Sequence, residues 1–160
     1  MLKLTILEVI LRSPEEFLII FAVYVFSKNV INIKRYIISS IFYVSAIYII
    51  RLLPIQYGVH TILCIIVIIV LTININKINI IKSIQSSIMA MILEFICEGI
   101  NIFIIQYLFK ADINYIFDKP LLKILYGIPS LVIFAFIVVT YYIYLVRRKK
   151  LKEVIYGEII

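Results

Sequence analysis

The chain has 160 residues, of which 64% are hydrophobic and 16% charged, with a formal net charge of +7 and a single histidine. A water-soluble domain carries about 45–50% apolar and about 25% charged residues, and one of this length cannot hide so large an apolar share from water. These values point to a bilayer as the solvent and leave no room for a separate kinase, nuclease or nucleotide-binding domain. The basic residues are scattered between apolar runs and form no face, so they report membrane topology and anionic lipid, not nucleic acid.

Residues 1–12 are too short to span a bilayer and carry Lys3, Glu8 and Arg12. They suit an interfacial amphipathic helix or the bent outer end of the first span. Glu8 and the lack of a small-residue cleavage site argue against a cleaved secretory signal. Ser13-Pro14-Glu15-Glu16 has the form of a helix start, with Ser13 as N-cap, Pro14 at the first position and Glu16 closing a capping box. A first span is expected over 14–32.

Lys34 and Arg35 open a second span over 36–53, closed by Arg51 and Pro54. Pro54 and Gly58 mark a tight connection. A third span, 58–75, is nearly pure Ile, Val and Leu, and the polar turn after it carries Asn76, Lys77, Asn79 and Lys82. The fourth, 83–108, differs in holding Glu94, Glu98, Asn101 and Gln106. A polar connection, 110–120, leads to a fifth span, 121–146, with Tyr141, Tyr142 and Tyr144 near its end as an interfacial belt. Arg147, Arg148, Lys149 and Lys150 stop that span as a membrane-surface anchor. Residues 147–160 form a short basic tail.

The expected fold is therefore all-α, a polytopic bundle of five spans over residues 1–146. Placing the Arg147–Lys150 end inside the cell puts ten basic residues on the inner side: Lys28, Lys34, Arg35, Lys77, Lys82, Arg147, Arg148, Lys149, Lys150 and Lys152. Six remain outside: Lys3, Arg12, Arg51, Lys110, Lys119 and Lys123. The positive-inside rule then predicts an outer N-terminus, an inner C-terminus and a multi-pass protein of the cell membrane.

The fourth span carries the strongest chemical signal. Glu94 and Glu98 are four residues apart and share one helix face. Carboxylates deep in a span are costly and turn toward protein, where they form structural pairs or mark a ligand, ion or proton site. In the expected topology Glu98, Arg51 at the end of span two and His60 at the start of span three share one depth. A buried cluster of Glu98, Arg51 and His60, with Glu94 one turn deeper, is the candidate ligand-binding site. A structural ion pair between Glu98 and Arg51, and an oligomer interface lined by both glutamates, are its competitors.

His60 and Cys64 are also four residues apart, and membrane peptidases that mature signalling peptides use a histidine and a cysteine. The apolar turns that follow offer nothing to hold an oxyanion. Cys64 and Cys97 read as small apolar fillers. The pattern calls for no metal and no cofactor. Ser86, Ser87 and Ala90 form a small-residue strip for close helix approach, and Gly99, Gly127 and Pro129 are packing and kink positions.

The segments RLLPIQYGVHTIL (51–63), LEFICEGIN (93–101) and KPLLKILYGIPSLVIF (119–134) resemble the membrane-embedded N-terminal sensor region of clostridial sensor histidine kinases with a GHKL-type ATPase domain. The resemblance covers most of the chain and rests on mainly apolar motifs. It implies a membrane sensing module that works with a cytoplasmic or membrane signalling partner, with or without homo-oligomerisation. The chain departs from those kinases in having neither a cytoplasmic phosphoacceptor histidine nor an ATP-binding box. The expected function is therefore non-enzymatic sensing or partner binding. A small-solute transporter or its substrate-binding component is the alternative, and a peptidase acting on a signalling peptide the third.

Overall fold

A computed structural model describes residues 6–53, 57–107 and 120–151, with backbone alone at 6–12, 57 and 120–124. The described residues form five α-helices and no strand: α1 (Ile6–Phe26), α2 (Ile33–Leu52), α3 (Tyr57–Asn74), α4 (Ile80–Tyr107) and α5 (Pro120–Arg147). Three are long and apolar enough to cross a membrane: α2, α4 and the Leu125–Arg147 stretch of α5. The apolar stretch Gly58–Asn74 of α3 is shorter.

The bundle has an apolar surface as well as an apolar core. Only 28%, 28% and 22% of the spanning stretches of α2, α4 and α5 lie inside the protein. Their outward faces are apolar, with Ile33 69% and Phe136 73% exposed. Ser39, Ser83, Ser86, Ser87 and Thr72 are buried instead. Hydrocarbon tolerates such a surface better than water does, and three of the helices have the length and composition to cross it.

The central helix is α1. It packs on α2, α3, α4 and α5, and Ile19, Ile20, Ala22, Val23, Tyr24 and Val25 are all buried. Protein surrounds this run on every side, which is why it can be apolar all round. Phe21 meets the Tyr142 ring edge-on at 5.5 Å, and the Tyr36 hydroxyl donates to the Phe17 carbonyl at 3.0 Å.

The helix start expected at Ser13 is not one. The helix is already running at Ile6 and passes through Pro14. Proline removes the bond that the Ile10 carbonyl would accept, yet residues 6–11 carry on the apolar pattern, and in lipid a helix is the least costly way to satisfy their backbone. Of the two readings of the N-terminal segment, continuity with the first span is the one observed from Ile6 onward. Helix α2 does begin on a cap: Asn32 accepts from the Arg35 amide at 3.3 Å.

Between α3 and α4, Thr72 and Ser83 share a short hydroxyl–hydroxyl bond, and Thr72 also donates to the Ile68 carbonyl at 2.8 Å. The strip of Ser86, Ser87 and Ala90 is buried, as its small side chains suggest. Gly99 and Gly127 behave otherwise: a Cβ at either would meet open space, so neither permits a close helix approach. Asn101 of α4 reaches across to α5 and donates to the Tyr126 carbonyl at 2.6 Å. The expected connection over 110–119 and the tail beyond Leu151 lie outside the described residues.

Candidate functional site

Glu15, Glu94 and Glu98 each turn a carboxylate oxygen into one spot, all within 4.8 Å of one another. Glu94 stands near the midpoint of the 28-residue α4, and Glu15 is the tenth residue of the 21 in α1. Two helices thus bring the group together at mid-length. Glu94 and Glu98 share a face of α4 through their four-residue spacing. Glu15 faces them because α1 packs on α4.

Beside this triad runs an ion pair. Arg51 of α2 reaches Glu16 of α1, with 3.3 Å between Nη2 and Oε1. The Glu16 side chain is 7% exposed and that of Arg51 22%. His60 of α3 faces the Ile50 backbone carbonyl and lies within electrostatic reach of Arg51.

The sequence-derived cluster is therefore brought together in part and rearranged. Arg51 and His60 lie within electrostatic reach of each other at the junction of α2 and α3, and Glu94 converges with Glu98. The carboxylate bonded to Arg51 is that of Glu16, in place of the expected Glu98. Glu15 and Glu16, which the sequence pattern puts at a helix start, both belong to the site. An apolar helical pattern continuing upstream of Ser13 was the signal that placed them inside a helix. Glu98 lies on the exposed side of α4, so the triad has a half-buried floor at Glu15 and Glu94 and an open rim at Glu98. Exposed as it is, Glu98 still brings its carboxylate to Glu15 of α1, as Glu94 does.

Three convergent oxygens are acceptors only. They match the three donors of a primary ammonium. A calcium ion, which takes six to eight oxygens, would need the second oxygen of each carboxylate or further ligands beside these three. The triad therefore suits an amine-bearing partner better than a bare divalent ion.

The Cys64 sulfur stands 3.8 Å from His60 Nδ1, the contact expected of i, i+4 neighbours. Both cysteines are free, Cys97 buried and Cys64 half-buried. The anchor residues Arg147, Arg148, Lys149 and Lys150 close α5 at the end where α1 and α3 also stop, and Arg148 lies over the Tyr144 ring at 5.7 Å. We found no protein family, curated protein or solved structure that matches this chain.

Proposed function

We propose that the chain is a non-enzymatic, five-span membrane module that senses or binds a partner, with its N-terminus outside and its C-terminus inside. The partner presents an amine to Glu15, Glu94 and Glu98, as an amphipathic cationic ligand or as a basic residue of a membrane helix. What supports this reading is the convergence of three carboxylates at mid-helix, open at Glu98, in a protein whose surface is apolar. Carboxylates in hydrocarbon are costly, and a cation that enters the triad recovers that cost. The resemblance to a sensor-kinase input region agrees with a sensing role. Binding would draw α4 against α1 and shift the population between two packings, with the basic end of α5 as the output.

The test uses the full chain in lipid nanodiscs and dodecylamine as the probe, with dodecanol as the uncharged control. Saturable stabilisation by the amine alone, lost in Glu94→Gln/Glu98→Gln, is expected. Equal stabilisation of that variant rejects the site. Uptake of labelled methylamine into proteoliposomes by the wild-type chain would move the reading to a transporter.

A further inference from the structure

Three helices, α1, α3 and α5, end at one face of the bundle, and each ends on a lysine in the left-handed conformation: Lys28 at φ 57°, Lys77 at φ 56° and Lys149 at φ 52°. That position is ordinarily glycine, because a side chain there strains the backbone. The bonds that close these turns are on the page. The Asn29 amide donates to the Tyr24 carbonyl at 3.2 Å and the Lys28 amide to Val25 at 3.1 Å. Lys150 donates to Leu145 at 3.1 Å and Lys149 to Val146 at 3.0 Å, the same motif again. The α3 turn is one residue wider, with the Ile78 amide bonded to the Thr72 carbonyl at 3.1 Å.

Each lysine is exposed, and within five residues of it in the chain lie exposed apolar side chains: Val30 and Ile33 for Lys28, Ile80 and Ile81 for Lys77, Tyr144 and Val146 for Lys149. The described carboxylates, Glu15, Glu16, Glu94 and Glu98, all lie away from this end. An ammonium fixed at a helix end and flanked by hydrocarbon is complementary to an anionic phospholipid, phosphate against lysine and acyl chain against Ile or Val. A soluble anion would use the lysine and leave the apolar border unmatched.

We infer that Lys28, Lys77 and Lys149 are seats for anionic phospholipid headgroups, held in place by the left-handed turns that end α1, α3 and α5. The inference rests on the membrane reading above and needs neither its orientation nor its acidic site. The test measures lipid binding to the full chain in neutral detergent by native mass spectrometry, with phosphatidylglycerol, phosphatidylcholine and inorganic phosphate as separate arms. Phosphatidylglycerol should bind most tightly, and Lys28→Gly/Lys77→Gly/Lys149→Gly should weaken it about 100-fold, at about fivefold per lysine. Glycine suits the left-handed turn, so the variant folds and its thermal stability in phosphatidylcholine stays equal or rises. The triple lysine-to-arginine variant should bind as the wild type does. Unweakened phosphatidylglycerol binding by the glycine variant, equal affinity for phosphatidylcholine, or displacement of the lipid by inorganic phosphate overturns the inference. Release of the wild-type chain from membranes by alkaline wash would instead overturn the membrane reading.

Discussion

Arg51, in the last turn of α2, pairs with a carboxylate of the preceding helix: its Nη2 lies 3.3 Å from Oε1 of Glu16, in the middle of α1. The pair ties the end of one surface helix to the central helix of the bundle. Removing one member leaves the other charge inside the protein. Arg51→Ala should therefore destabilise the fold by about 2 kcal/mol, below the full cost of a buried pair because Arg51 is partly exposed. Replacing both, as Glu16→Leu/Arg51→Met, should recover most of the loss. Unfolding of the variants in mixed micelles with increasing SDS measures both effects, and a double variant weaker than Arg51→Ala would contradict them.

Glu15 is next to Glu16 in the chain and has the opposite electrostatic setting, with Glu94 and Glu98 as its neighbours. Glutamine keeps the shape and hydrogen-bonding capacity while removing like-charge repulsion. Glu15→Gln should hold or raise the thermal midpoint of the ligand-free protein, whereas Glu16→Gln should lower it. Two thermal scans decide the point, and equal shifts would mean that the two glutamates occupy one environment.

The helices were legible where composition alone decides, as in the apolar stretches of α2, α4 and α5. Capping chemistry misled at Ser13-Pro14-Glu15-Glu16, because those residues read the same whether a helix starts there or already passes through. Once the helix was started late, Glu15 and Glu16 were placed at a membrane surface and dropped out of the site. The choice of carboxylate for Arg51 was not legible, since it depends on which face α1 turns toward α2. The role of Lys28 and Lys77 as left-handed helix ends was hidden for a related reason: lysine carries no turn signal, and glycine at those positions would have announced it.

Small residues on α4 are not interchangeable. Ala90 is fully buried, whereas a Cβ at Gly99 meets open space. Ala90→Leu should cost about 1–3 kcal/mol by overpacking the helix contact. Gly99→Ala should be neutral or stabilising by up to about 1 kcal/mol through helix propensity. Stability in the same SDS series checks both, and a destabilising Gly99→Ala would show that the glycine serves an approach between protomers.

A polar bond crosses the packed contact between α4 and α5. The Asn101 amide donates to the Tyr126 carbonyl at 2.6 Å, and Asn101 is 5% exposed. The carbonyl of Leu125, one residue earlier, loses its helical donor to Pro129, so the α5 backbone is weakest where Asn101 meets it. Asn101→Leu should cost about 1 kcal/mol, the net value of such a bond, and should loosen the α4–α5 packing selectively. Pro129→Ala restores the backbone donor and should offset part of that loss when the two are combined. A double-mutant cycle on thermal stability reads the coupling. Strict additivity of the two substitutions would show that Asn101 holds α5 independently of its broken turn.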